Sequence, residues 1–209
     1  LALLEKVSPV VLEDIVPKLE EQPARWNPGG FIVFPLGLAK DNSSLRLHVS
    51  PKGLSRAVLD GHFIHNHGWQ LASQVLGGTY RDVIYQVQKI NAESEPTGGD
   101  IFRLYETIRG EDGKDRLVTD GTLVRATPSE KRNVPAGKTH TIEAVTVYHL
   151  PTTPSNEFAA TLILDSPAFA PSTHVLFARD HQLKERIRKQ PSPDDVALAK
   201  EQLRAITAI

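Results

Sequence analysis

Three of the eight histidines in this chain fall within Gly61-His62-Phe63-Ile64-His65-Asn66-His67-Gly68-Trp69, and two of them are spaced His-x-His. Alternate side chains of an extended strand share a face, so His65 and His67 project together and suit one shared ion. A two-imidazole grip needs a further ligand. Pro135-Ala136-Gly137-Lys138-Thr139-His140 supplies the best candidate, His140. In a chain with eight histidines a single His-x-His pair is weak evidence, and so is Pro-x-Gly-x-x-His alone. Their order carries more weight. A His-x-His at a strand start precedes a Pro-x-Gly-x-x-His that leads into another strand, both inside a region of β texture.

The elements that must position these residues can be read around them. Residues 1–25 read as a helical segment, with Ser8 as an N-cap, Pro9 at the first helical position and Pro17 as a kink or early stop. Residues 26–178 read as a β-barrel region. Leu45-Arg46-Leu47-His48-Val49 alternates strictly, and its polar face, Arg46 and His48, is expected to look into water more readily than into a site. Further strands are expected at Val83–Val87, Ile101–Ile108, Leu117–Ala126, Ile142–Leu150 and Ala159–Leu164, separated by Gly/Pro/Asp turns, which indicates a sandwich or barrel. Residues 179–209 read as a helical appendage. A basic stretch from Arg179 to Gln190 ends at Pro191, and Ser192 then caps a second helix that opens with Pro193, Asp194 and Asp195.

Bulk properties narrow the function. At 209 residues, 40% hydrophobic and 23% charged, the chain suits one soluble domain with a substantial core. A net charge of −1 argues against nucleic acid or a membrane surface as partner, and no apolar run is long enough to span a bilayer. Zero cysteines exclude disulfides, thiolate metal sites and a cysteine nucleophile, and fit a cytoplasmic location.

Gly61, His65, His67 and Gly78 resemble the first motif of the cupin superfamily, and Pro135, Gly137 and His140 match its second motif fully. The resemblance covers residues 31–177. It implies a mostly β fold, a cupin-type double-stranded antiparallel β-barrel (jelly roll) with N- and C-terminal helices and a divalent metal inside. The first motif's acid falls at Leu71 or Ala72, neither of which binds a metal, while His62 and Glu143 stand off the family positions. A three-histidine site of His65, His67 and His140 is the simplest inference. In this it resembles the thiol dioxygenase branch typified by cysteine dioxygenase, although that branch's cysteine–tyrosine cross-link has no counterpart in a chain without cysteine. The resemblance also implies a homodimer, formed through the terminal helix or an exposed edge strand.

Three neutral imidazoles leave a divalent ion its full charge and open positions, which favours small anionic, often bidentate substrates. Fe2+ with O2 as cosubstrate is the leading expectation, and Zn2+, Ni2+, Mn2+ and Cu2+ are alternatives. The reaction class expected is therefore an iron-dependent dioxygenase. A non-catalytic metal- or ligand-binding cupin and a non-redox metal isomerase or lyase stand beside it. Gln70 and Gln74 are expected on the inner face with Ala72, where they could orient substrate or water. Arg56 is a candidate for a substrate carboxylate, and Trp69 for a pocket wall at the barrel mouth. His149 and His174 have no partner spacing and read as satisfied structural histidines.

Overall fold

The computed structural model describes residues 2–54, 64–90, 100–110, 114–182, 185–187 and 189–207. Helix α1 (Ala2–Val10) continues through a π-helical turn (Val11–Ile15) into a 3₁₀ segment (Val16–Glu21). Ser8 lies inside α1 and does not start it: its hydroxyl donates to the Leu4 carbonyl at 2.7 Å. Pro9 and Pro17 withdraw two N–H groups, and the helical ladder changes between them, with the Val16 N–H reaching back to the Val11 carbonyl.

Thirteen strands follow among the described residues: β1 (Arg25–Trp26), β2 (Ile32–Leu38), β3 (Ser44–Ser50), β4 (Ile64–His65), β5 (Leu71–Lys89), β6 (Asp100–Arg109), β7 (Lys114–Val118), β8 (Leu123–Pro135), β9 (Thr139–Ile142), β10 (Tyr148–Pro151), β11 (Ala159–Asp165), β12 (Thr173–Ala178) and β13 (Glu185–Ile187). Helix α2 (Pro193–Thr207) closes the order. All strand pairings are antiparallel.

The long strand β5 organises the barrel. Up to Gly78 it pairs with β11 and β9, extending a sheet that runs β1–β2–β3–β11–β5. From Thr79 it pairs with β8 on one edge and β10 on the other. The pairings β10–β4, β4–β12, β12–β6 and β6–β8 then return to β5, so these six strands close into a ring. The result is a mostly β, antiparallel barrel with N- and C-terminal helices, as expected from the sequence. Among the described residues no helix is long and apolar enough to cross a membrane.

The core sits on the outer side of the first sheet. Leu47 and Val49 of β3, Ala160 and Leu162 of β11 and Leu76 of β5 pack against Leu4, Val11, Val16, Leu19, Ala199 and Leu203 of the helical segments. Strand alternation therefore turns Arg46, His48 and Ser50, with Ser73, Thr161 and Ile163, toward the barrel interior. The expectation that Arg46 and His48 face water is corrected: helices cover the apolar face, so the polar face lines the cavity. Helix α2 is held by its capping box, Asp195 N–H to Ser192 Oγ at 3.1 Å and Ser192 N–H to Asp195 Oδ2 at 2.8 Å.

Three sequence expectations shift. Leu117–Ala126 splits into β7 and β8 around Gly121 (φ +89°), and Ile142–Leu150 is interrupted by a turn containing Val145 (φ +63°). Within the basic stretch after Arg179, Glu185–Ile187 is a strand paired with β7, where helix was expected.

Gly78 stands where β5 passes from one sheet to the other. Its φ is +70°, and an added Cβ would run into the Phe158 carbonyl. Gly121 shares the left-handed conformation but has open space around it. Gly78→Ala is expected to destabilise the fold by at least ~3 kcal/mol in urea unfolding, against ~1 kcal/mol for Gly121→Ala, where only backbone strain is added. Equal losses would show that the close approach to Phe158 carries no cost.

Candidate metal centre

Two tight backbone anchors hold the His-x-His segment. Asn66, 2% exposed, accepts from the His174 N–H at 2.7 Å through Oδ1 and donates from Nδ2 to the Val145 carbonyl at 2.7 Å. Gly68 lies so close to the carbonyls of Ala170 and Ser172 that a Cβ would clash, which explains a glycine just after the histidines. Just before these anchors β4 ends at His65, so His67 lies beyond regular strand. The two rings still meet, their centroids 4.9 Å apart.

The third histidine of the group is His149. Its Cα pairs with that of His65 across β10 and β4, and its ring centroid is 4.4 Å from that of His65 and 5.0 Å from that of His67. One ring nitrogen from each of His65, His67 and His149 lies within 4.8 Å of the others, a grouping that could hold a metal ion. His67 Nε2 and His149 Nε2 are 2.9 Å apart.

Behind His149, Nδ1 meets Asp82 Oδ2 at 3.0 Å and Oδ1 at 3.2 Å, and Asp82 is 1% exposed. A carboxylate at that distance accepts the N–H of Nδ1, which leaves Nε2 as the ring atom that faces the cluster and can serve as a ligand. Burial, then the neighbouring His65 and His149, pushes the His67 pKa well below its ordinary value. His67 is thus neutral at pH 7, as a ligand must be. The donor set, the neutral His67 ring and the carboxylate support fit a divalent ion.

His140 occupies a different place. It lies on β9 opposite Ser73, its ring stacked on Tyr80 at 4.8 Å and 13°. It lines the same cavity but does not join the grouped ring nitrogens. Burial lowers its pKa to about 4, and its Nδ1 is buried without a hydrogen-bond partner. The expected ligand set of His65, His67 and His140 is therefore drawn together by the structure as His65, His67 and His149. Pro135-x-Gly137-x-x-His140 forms the β8–β9 hairpin, with Gly137 at φ +79°.

The other expected site residues are dispersed. Gln74 shares the outward parity of Ala72, and its side chain meets the Ser8 hydroxyl at 2.6 Å, away from the cavity. Gln70 is exposed and does not line the cavity; its backbone N–H donates to Ser166 Oγ at 3.0 Å and its carbonyl accepts from the Ser166 N–H at 2.9 Å. Glu143 is also exposed. Arg56, with Gly61 and His62, lies outside the described residues. Trp69 does form part of the cavity wall, its ring 5.4 Å from that of His67. His174 contacts Tyr148 Oη at 3.1 Å and Asn66 Nδ2 at 3.4 Å, a structural role as expected. His149 was not separable from His174 by spacing. Its place depends on β10 pairing with β4, far away in sequence.

The cavity has a volume of about 100 Å³. It is lined by the three histidines and by polar side chains that include Arg46, His48 and Ser73, and no Asp or Glu is among the described residues lining it.

Neither a protein-family model nor any curated protein sequence matches this chain. Among solved structures, hydroxypropylphosphonic acid epoxidase from S. wedmorenis is similar over 70% of this chain and 56% of its own, at 11% identity and a TM-score of 0.38. The chain thus spans little more than half of that enzyme's length. The nucleoside dehydratase Pac13 from Streptomyces is similar over 76% of this chain and 88% of its own, at 14% identity and a TM-score of 0.34. A cupin-like protein from Thermotoga maritima is similar over 85% and 93%, at 11% identity and a TM-score of 0.33. At these values the reading of the site rests on its own geometry.

Replacing Asp82 by Asn removes the negative charge behind His149 while keeping its shape. Metal affinity is expected to fall ~10–100-fold in a competition titration. His149→Ala is expected to fall further, and His140→Ala to stay near wild type. Unchanged affinity in His149→Ala would remove it from the ligand set.

Proposed function

We propose that this chain is a metal-dependent cupin enzyme, an iron(II) dioxygenase that adds both atoms of O2 to a small anionic substrate. The observation carrying this reading is a cluster of three imidazoles, free of carboxylate ligands, opening on a cavity without an Asp or Glu lining residue among those described. Imidazole suits iron, zinc, copper and nickel, so the ligand type alone leaves the metal open. A zinc-type hydrolase needs a general base beside the attacking water, and the described cavity wall offers no carboxylate for it. Dioxygenation needs no such base and no external reductant, because the substrate supplies all the electrons that O2 accepts. Iron(II) at the histidines would supply the redox path between the two.

The chain's own residues would do the rest. Asp82 holds the His149 ring in one tautomer, Asn66 and Gly68 fix the His-x-His segment, and Trp69 walls the substrate space beside His67. Likeness to the thiol dioxygenase branch stays within this proposal as one substrate class among those that chelate an ion by anionic atoms. A second reading, a non-redox isomerase or lyase, is favoured by His140: a neutral imidazole with an unpartnered Nδ1 on the cavity wall can donate a hydrogen bond to a substrate carbonyl and polarise it.

Anaerobic loading with iron(II), followed by nitric oxide, tests the reading. Near-stoichiometric iron with an S = 3/2 nitrosyl EPR signal is expected, together with O2 consumption when small chelating anions are screened. Iron bound without a nitrosyl signal or O2 uptake, beside proton exchange on a carbonyl substrate, would replace it with the non-redox reading.

A further inference from the structure

On the cavity side of the first sheet, a row of neighbouring residues carries buried polar atoms without a hydrogen-bond partner. Arg46 pairs with Ile163, Ile163 with Ser73 and Ser73 with His140, so the four stand side by side across β3, β11, β5 and β9. All four line the cavity. Neighbouring strands are ~4.8 Å apart, so the row spans the length of a small molecule. Arg46 Nε, Ser73 Oγ and His140 Nδ1 are buried without hydrogen-bond partners, as are His48 Nε2 and Trp69 Nε1 beside them. Ser73 is 1% exposed. Folded proteins leave few such atoms, and five around one cavity point to a ligand that satisfies them.

The chemistry of these atoms is directional. Arg46 Nε–H and Trp69 Nε1–H can only donate, and Ser73 can donate with them, so the ligand must present an acceptor. Its charge follows from what Arg46 already holds. Arg46 Nη2 donates to Asp165 Oδ1 at 2.6 Å, with both side chains largely buried, and Asp165 also accepts from Ser44 Oγ at 2.8 Å. A second carboxylate at Nε would set two buried anions against one guanidinium, a costly arrangement in a low-dielectric wall. His48, next along β3, is held neutral by burial. Arg46 therefore offers a donor whose positive charge is already matched by Asp165, and Arg25, two strands across from His48, is not among the residues lining the cavity. At the three histidines, a divalent ion opposed by Asp82 leaves a single positive charge, which one anionic group balances.

Resting on the metal-centre reading above, we propose that Arg46, Trp69 and Ser73 form a recognition subsite for an uncharged oxygen acceptor, a carbonyl, amide or hydroxyl, at the far end of a monoanionic substrate. Trp69 links the two ends: its ring lies 5.4 Å from that of His67 and 5.7 Å from Arg46 Cζ. Dicarboxylates and other dianions are disfavoured.

The test uses cobalt(II)-loaded protein and three probes sharing one chelating end: lactate, malate and the 4-monoamide of malate. Cobalt content is measured first, and each probe is then titrated calorimetrically. The monoamide is expected to bind at least tenfold more tightly than malate or lactate. Trp69→Phe and Ser73→Ala, which each delete one hydrogen-bonding group, are expected to bring its affinity toward that of lactate with cobalt content unchanged. Malate binding as tightly as the monoamide, or both variants keeping the preference, would overturn the subsite while leaving the metal centre standing. Failure of the wild type to retain cobalt would overturn the metal centre and the subsite with it.

Discussion

The site depends on how two imidazole nitrogens can lie 2.9 Å apart in a buried place. His67 Nε2 and His149 Nε2 cannot both present lone pairs to each other without a proton or a cation between them. Asp82 decides half of that question by claiming the N–H on the far side of His149. His67 then either donates a proton to His149 or shares an ion with it. The nearness of His65 turns the second arrangement into a three-nitrogen grip. The closed ring of strands gives this contact its rigidity, because His149 and His65 are paired residues of neighbouring strands within it.

The same barrel explains why polar residues face inward. The first sheet has its apolar side outward, under the N-terminal helical segment and α2, and the main hydrophobic cluster lies there. The inner side is freed to carry Arg46, His48 and Ser73. The terminal helices thus act at a distance on the site: they supply the burial that the cavity side of these strands does not. The Lys200–Glu20 ion pair and the bonds from Gln202 to the backbone of Lys52 tie α2 to both neighbours.

Much of the fold was legible from local pattern. The strict alternation at Leu45–Val49, the turn residues between strands, and Ser192 with Pro193 and Asp195 at the start of α2 each encode their element within a few residues. What alternation cannot say is which face of a strand is inside. Arg46 and His48 were expected in water because polar faces of strands usually are. Gln74 was expected inside because Ala72 was assigned to the inner face; the actual parity puts Leu71 and Ser73 inside and Gln74 against Ser8.

The site was half legible for a related reason. His65 and His67 are close in sequence, and their spacing carries the signal. His149 and Asp82 enter only through the pairing of β10 with β4 and β5, which links residues distant in the chain. His140 drew attention because a glycine hairpin precedes it, yet that motif encodes the turn and places its ring on Tyr80. The most direct measurement is a crystal structure of zinc-soaked protein with anomalous data at the zinc edge. The expected result is one ion held by His65, His67 and His149 at ~2.0–2.1 Å from each nitrogen, with Asp82 still bonded to His149. An ion bound through His140 in place of His149, or no ion at the cluster, would contradict the assignment.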